Sequence, residues 1–589
     1  MSKIELSTDY SSKRALGWCQ DASDFKSLKK VVQVFDNNSD FHRIVKDIRL
    51  PLLIEDKELV KKYQDILSAS PLKIKYSDLV GTHANPRSMT KCNAIIQASI
   101  EGQGSRGFLT DWASDSFVRW AHLCGFIKYN GDADNFEITE TGLDYSNTKD
   151  DSNEEHEILL TAILSYPPVS RILQLLSNGE HLSKFEIGRN LGFLGDNGFT
   201  SLPQNVLLTS LAMTTDSSEK NKMKSDWDGS SDKYARQICK WLEKLGLVRQ
   251  ESKDYDVKIG NEIIKESLGQ SYMITPEGLK AFRRIRGVNK VSKVSKNVYW
   301  EMLCTKGSDR DYLRNRRAYI IKILSDASGS ISLEKIREKL LEYKFEESYD
   351  SINDDIKGLT NIGLFINETN KNFTLNDNIN SLVIPINSLG SGKSDTSRLK
   401  DFCRGMLESI SHNYLNLIDL AYDPDSNRQF EMEVVDLLTT ECGFSGLHLG
   451  GGRKPDGIIY TENLKDNYGA IIDTKAYKDG YSLPMHQADE MQRYVSENDT
   501  RDKNINPNEW WNHFPNYLEK FCFLFVSSKF VGQFEERLKN IASRTNRNGA
   551  AINIINLLLL AESIKSQMLD LDTVFDKFTC NSEILLMED

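Results

Sequence analysis

Three stretches in the first two thirds of the chain share one pattern of apolar and polar positions. "FVRWAHLCGFIKYNGDADNFEITETGLDY" places apolar residues at i, i+3 and i+4, breaks at a glycine, then alternates with period two around a polar turn. "ARQICKWLEKLGLVRQ" followed by "QSYMITPEGLKAF" repeats the plan, including an I-T-x-x-G-L signature, and "IKGLTNIGLFINETNKNFTLND" gives a shorter third copy. A helix followed by a β-hairpin is the closing half of a winged helix. Earlier segments complete the unit: "AYIIKILSDASGSISLEKIREKLLEYKF" predicts helix, turn and a helix capped near Ser332, and "VSRILQLLSNGEHLSKFEIGRNLGF" looks similar ahead of the second copy. The expectation is three winged-helix-like units in series. Such units read DNA or act as protein–protein scaffolds, and periodicity alone leaves both open.

The texture changes after Ile384. "PINSLGSGKSDTSRLKD" is rich in Gly and Ser and predicts a linker or boundary. Beyond it the pattern predicts a helix around 398–420, another near 428–440, then strands alternating with helices, as in an α/β domain. The expected organisation is a first unit over 1–150, a second over 151–295, a third over 296–384, a linker over 385–397 and the α/β domain over 398–589. A chain of 589 residues accommodates this at roughly 150 residues per domain.

Composition bounds the function. Hydrophobic residues at 39% and charged residues at 27% describe folded protein. No apolar run reaches the ~18 residues of a membrane span, and "AAINIINLLLLA" reads as a buried segment. Nine cysteines are scattered singly, with no CxxC and no paired histidine spacing. Structural zinc is therefore not expected, and a reducing cytoplasm is the natural compartment. The net charge of −11 argues against nucleic acid only on average, because DNA responds to patches within about 10 Å. The stretch from Arg283 to Arg317 is strongly basic and permits a binding surface; a solvated charged face is the plainer reading.

"RKPDGIIYTENLKDNYGAIIDTKAY" carries the chemistry. "GAIIDTKAY" reads as an apolar strand whose alternation projects Asp473 and Lys475 together and turns Thr474 away. Asp456 follows the glycine-rich turn "LGGGRKPDG", and an adjacent strand would set it beside Asp473. Two carboxylates and a backbone carbonyl suit Mg²⁺, and a neighbouring ammonium can act on an attacking water. Such a group hydrolyses phosphodiesters by in-line attack. Against this stands a surface salt bridge between Asp473 and Lys475 with a turn-forming Asp456. Glu431 could face the same site, with solvent its expected destination; His448 and His486 have no ligand spacing and read as structural or DNA-adjacent.

"HLGGGRKPDGIIYT", "DTKAY", "QADEMQRYV" and "NPNEWW" resemble the cleavage domain of the FokI-type IIS restriction endonucleases, within the PD-(D/E)xK nuclease superfamily. "VVQVFDNNS", "FVRWAHLCGFI", "LGFLGDNGFTSLP" and "GSSDKYAR" extend the likeness through the front half. The resemblance implies a multidomain chain: α+β winged-helix-related DNA-recognition subdomains, the third mainly making protein contacts. An α/β PD-(D/E)xK nuclease domain follows, with a mixed sheet flanked by helices. It implies a bacterial, Mg²⁺-dependent type II site-specific deoxyribonuclease that binds a short asymmetric double-stranded site and cuts at a fixed distance outside it, leaving 5′-phosphate ends. By motif match, Asp456, Asp473 and the Thr474 carbonyl would hold Mg²⁺, and Lys475 would act on the attacking water. No nucleotide cofactor or membrane is implied.

One such centre cuts one strand, so the resemblance also implies transient homodimerisation on DNA through the helix of "QADEMQRY". Asp489 and Arg493 match its intermolecular ion pair; otherwise they make an ordinary i, i+4 pair. Positions reaching the DNA correspond to Gln20, Asp21, Arg87, Gln103, Trp112, Ser225, Asp228, Ser230 and Lys233. Asp21 and Ser225 replace asparagines and Asp228 a glutamate. Aspartate accepts from cytosine N4 but cannot make asparagine's bidentate adenine contact, so the expectation is the family's GGATG or a related site altered at those positions. Trp112 and Trp227 could equally be core residues. The alternatives are a DNA-binding regulator with an inactive nuclease-like domain, and a monomeric nicking endonuclease.

Overall fold

The computed structural model describes residues 4–586 apart from 11, 13, 87–88, 103–105, 260–261, 288–292, 328, 381, 387–391 and 463. In it, each copy of the repeated pattern folds as a helix and an antiparallel hairpin. The first copy comprises the helix Asp111–Leu123 and strands Ile127–Asn130 and Asn135–Ile138. The second has the helix Ser230–Lys244 and long strands Val248–Ile259 and Glu262–Ile274; the third has Tyr349–Asn361, Ile366–Thr369 and Asn372–Leu375. In each, the second hairpin strand lies centrally and also pairs with a short earlier strand, Ile74–Lys75, Leu182–Ser183 or Ile331–Ser332. That order is the winged-helix sheet, and Ser332 caps the helix Leu333–Glu342 as expected.

The T-x-x-G-L signature has a physical cause. Thr139 and Thr275 each cap the helix after the hairpin, accepting from the N–H of Gly142 and Gly278. Their hydroxyls also donate to the Gly125 and Gly246 carbonyls, at 2.6 and 2.7 Å. A Cβ on Gly142 or Gly278 would lie 2.1 or 2.0 Å from the carbonyl oxygen of Phe126 or Leu247. Only a residue without a side chain lets this helix close on the hairpin.

The basic stretch is exposed at Arg283, Arg286 and Lys306 but internal at its end. Arg314, Arg316 and Arg317 are buried in the helix Arg310–Asp326. Arg316 pairs with Glu347 at 3.0 Å and Asp355 at 2.6 Å, and Arg317 with Asp355 at 2.8 Å. Burial pushes the Asp355 carboxyl up, but the two guanidiniums outweigh it and hold it below the usual range. These arginines fix a fold rather than offer a DNA surface.

The chain divides into two compact units: Met1–Phe193 with Lys233–Glu251 and Gln270–Gly392, and Leu194–Asp232 with Ser252–Gly269 and Lys393–Asp589. Of the expected linker, residues 387–391 lie outside the described residues, Pro385 ends a strand and Asp395 already starts a helix. The helix expected around 398–420 is interrupted: Asp395–Arg404 and Asn416–Ala421 are helical, with a short 3₁₀ turn at His412–Leu415 between them.

The second unit is built on a five-stranded mixed sheet. Its strands are β1 (Ser445–His448), β2 (Gly457–Tyr460), β3 (Tyr468–Lys475), β4 (Lys520–Ser527) and β5 (Gly549–Asn553). β1, β2 and β3 are antiparallel, whereas β3, β4 and β5 are parallel. Helices α1 (Asn427–Thr440), α2 (Met485–Thr500), α3 (Phe534–Thr545) and α4 (Ile554–Lys565) cover it. Alternation sorts the strands into two layers. Ile459, Ala470, Ile472, Leu524 and Val526 share a core with Phe430 and Val434 of α1 and Leu557 of α4. Ile458, Ile471, Phe523 and Phe525 share the other with Ala488 and Met491 of α2 and Leu538 of α3. The "AAINIINLLLLA" stretch runs from β5 into α4 and is buried. Among the described residues no single helix is long and apolar enough to cross a membrane.

Candidate active site

The two-residue period that puts Ile471 on the α2 side puts Asp473 and Lys475 there too. Gly457 faces Ile472 across the β2–β3 ladder, so Asp456, one residue before β2, stands beside Asp473. Lys475 Nζ lies 2.7 Å from Asp473 Oδ2 and 3.8 Å from Asp456 Oδ2. The site thus sits at the carboxyl end of a central strand, where α/β folds place their ligands.

Thr474 does more than point away. Its N–H and hydroxyl donate to Asp456 Oδ2, at 2.7 and 3.1 Å. β2 starts at Gly457, so past Ile472 the β3 backbone on that side has no strand partner, and the Asp456 carboxylate takes that place. Glu431 also departs from expectation. Its side chain is 18% exposed and turned inward, with His448 Nε2 at 3.1 Å from its carboxylate. Its charge is felt by Asp456, Asp473 and Lys475.

The electrostatics follow from this crowding. Burial first, then Asp473, pushes the Asp456 carboxyl up to about 8, with Lys475 opposing. Burial likewise raises Asp473 against the pull of Lys475. Burial would lower the Lys475 ammonium, but the two aspartates outweigh it and raise its pKa, so it stays charged. Three carboxylates against one ammonium leave a site short of positive charge. Among the described residues no three or more His, Cys, Asp or Glu converge closely enough to hold a metal. The hard carboxylate oxygens of Asp456 and Asp473 fit a divalent cation that keeps much of its shell aqueous.

Family models match nearly the whole chain: FokI recognition-domain subdomain 1 over 14–148, subdomain 2 over 155–292, the FokI D3 domain over 303–371, and the FokI cleavage domain over 393–585. The chain belongs to the FokI family of type II restriction enzymes. It is 46% identical to the type II restriction enzyme FokI of Planomicrobium okeanokoites over 575 residues, 97% of this chain and 99% of that one. With the type II restriction enzyme StsI of Streptococcus sanguinis it shares 32% identity over 568 residues, 94% and 93% of the two chains. The solved structure of FokI bound to DNA superposes with a TM-score of 0.90 at 46% identity, over 97% of this chain and 99% of that one.

The DNA-facing positions expected for the FokI family divide by environment. Arg87 and Gln103 lie outside the described residues. Gln20 and Lys233 are half-buried, whereas Asp21 and Ser225 are exposed. Trp112 is 39% exposed and donates its indole N–H to Asp21 Oδ2, so it is no core residue. Trp227 is: it is buried, donates to the Pro203 carbonyl at 3.2 Å, and lies under the Arg428 guanidinium. Ser230 spends its hydroxyl on the Gly198 carbonyl and the Thr200 N–H. Asp228 is half-buried.

On α2, Asp489 and Arg493 do not pair with each other. Asp489 lies 3.7 Å from Arg544 of α3. Arg493 lies 3.1 Å from Glu490 and 3.6 Å from Glu497. Glu497 is buried and accepts from Trp510 Nε1 at 2.8 Å and Asn506 Nδ2 at 3.0 Å. Asn506 Nδ2 also donates to the Arg453 carbonyl at 2.9 Å. The "NPNEWW" motif therefore fastens α2 to the loop that delivers Asp456. That role has no local signal in the sequence, because its partners come from three separate segments.

Proposed function

We propose that this chain is a type IIS restriction endonuclease that binds a short asymmetric double-stranded DNA site and hydrolyses both strands at a fixed distance outside it. The observation that carries the reading is the convergence of Asp456, Asp473 and Lys475 at the carboxyl end of β3. Recognition belongs to residues 1–384 and cleavage to 398–589. The proposed site is GGATG, with Asp21, Ser225 and Asp228 the positions at which it would depart. Gln20, Arg87, Gln103, Trp112, Ser230 and Lys233 complete the proposed DNA-facing set.

Asp456, Asp473 and the Thr474 carbonyl are the proposed ligands of Mg²⁺, which supplies charge stabilisation for the negative charge developing on the phosphate. Lys475, held by Asp473, positions the attacking water beside the phosphorus and stays cationic while it does so. Thr474 keeps Asp456 aimed at the same point, and the low exposure of the site strengthens each of these interactions. Hydrolysis then leaves 5′-phosphate and 3′-hydroxyl ends. Both strands are cut when two cleavage domains meet through α2, with Asp489 and Arg493 exchanging their intrachain partners for each other across the dimer. The bacterial cytoplasm is the proposed compartment.

Digestion of a plasmid of known sequence with Mg²⁺, followed by run-off sequencing of every break, tests the reading. The expected result is breaks at constant offsets from one asymmetric word. Asp473→Ala should lose cleavage while keeping specific binding within about twofold. Substantial cutting by that variant would sink the assignment. Specific binding by the wild-type chain without any cutting would favour a DNA-binding regulator.

A further inference from the structure

Beyond the trio, one buried group near the site has no work to do in the protein as it stands. Tyr481 lies in the segment between β3 and α2 and is 1% exposed. Its backbone is fixed on both sides: its N–H donates to the Lys529 carbonyl at 2.9 Å, and its carbonyl accepts from the Val531 N–H at 3.0 Å. Its ring packs 6.3 Å from Phe525 and 6.0 Å from Phe530. Phe525 is the residue of β4 in register with Asp473, and Tyr481 belongs to the apolar layer on the α2 side. The ring therefore sits on the face of the sheet where the catalytic carboxylates emerge.

The hydroxyl of Tyr481 is buried and has no hydrogen-bond partner among the described residues. A phenylalanine would fill the same space without that penalty, as its neighbours Phe525 and Phe530 do. Burial above all, then the charge of Asp473, raises the phenol's pKa, with Glu490 and Asp456 adding to it. The group is thus a permanent donor close to negative charge, and it does not ionise.

We propose that Tyr481 is a positioning residue of the catalytic centre, its hydroxyl donating a hydrogen bond to an oxygen held at Asp456 and Asp473. That oxygen belongs either to the hydration shell of the divalent ion or to the scissile phosphate, and the same donor geometry serves both. The inference rests on the metal-dependent nuclease reading above. Partners just outside a metal's own ligands typically carry 10–100-fold in affinity or rate.

Tyr481→Phe removes one oxygen and keeps the ring. Free Mn²⁺ is titrated by electron paramagnetic resonance against the full chain, first alone and then with a cognate duplex, and single-turnover cleavage is timed alongside. The expected result is a loss of about 10-fold or more in cleavage rate, with unchanged specific DNA binding and no loss of metal-free thermal stability. Weaker Mn²⁺ binding without DNA assigns the oxygen to the ion's hydration shell; weakening seen only with the duplex assigns it to the phosphate. Cleavage and Mn²⁺ binding both within about twofold of wild type overturn the proposal. Asp473→Ala run in parallel separates the failures: if that variant cuts, the nuclease reading falls; if it is inactive while Tyr481→Phe is normal, only the tyrosine's role falls.

Discussion

Replacing Asp456 with asparagine should inactivate the enzyme and yet make the metal-free protein more stable. The Asp456 carboxyl titrates near 3.8 in an unfolded chain and at about 8 in the fold. A raised pKa gives stability that is complete below about 4 and is lost as pH climbs toward 8. Each unit corresponds to 1.36 kcal/mol, so the interval from 3.8 to pH 7 sets a ceiling of about 4 kcal/mol on the penalty. Asparagine keeps an acceptor for the Thr474 N–H and hydroxyl but forfeits the attraction of Lys475. About half the ceiling, ~2 kcal/mol, is the expected net gain at pH 7. For a unit of this size that is a rise of about 4–8 °C in the melting transition. Differential scanning calorimetry in EDTA from pH 4 to 9 reads it directly. The gap between Asp456→Asn and wild type should be near zero at pH 4, widen to about pH 8 and then level off. Added Mg²⁺ should raise the wild-type transition and leave the variant's where it was. A variant less stable than wild type at pH 8 in EDTA, or a gap indifferent to pH, would refute the reasoning.

Two further outcomes are expected. Asp489→Ala frees Arg544 and removes one side of the proposed intermolecular pair; specific binding should persist while double-strand cleavage at low enzyme concentration slows several-fold and nicked DNA accumulates, read from plasmid topology on gels. Gly278→Ala drives a Cβ to 2.0 Å from the Leu247 carbonyl and should cost about 1–3 kcal/mol, seen as a lower melting temperature with site-specific DNA affinity reduced in proportion to the unfolded fraction.

Local patterns carried the modules well. A helix, a glycine break and a two-period hairpin are short-range features, and the capping threonine with its close-packed glycine left a signature that two of the three copies print openly. Asp473 and Lys475 were legible because strand alternation is the simplest periodicity in a sequence. What escaped depended on partners far away in the chain. Arg316 and Arg317 looked like a surface because their acidic partners Glu347 and Asp355 come more than thirty residues later in the sequence. Glu431 could as well have faced water as far as α1's own pattern goes; what turns it inward is His448, on an edge strand. The hold of the Thr474 N–H and hydroxyl on Asp456 escaped because it depends on β2 starting only at Gly457, which is a matter of register. The break between Arg404 and Asn416 begins at the cap Gly405 although Cys403, Leu407, Ile410 and Tyr414 keep helical spacing across it, and the Ser409 and Ile410 N–H groups there donate to the distant Glu562.

The side chain of Asn506 touches both Glu497 and the Arg453 carbonyl, so α2 and the loop delivering Asp456 move as one piece. Rigidity of this kind has an entropic consequence. In the proposed dimer, a partner copy meeting α2 would find few rotamers left to freeze near Glu497, and no loop would have to be ordered at the proposed metal ligands when it arrives. On that proposal, a contact too weak to hold two molecules together in free solution would still be productive, because the lifetime of the encounter, and not a slow rearrangement, would set how often the second strand is cut.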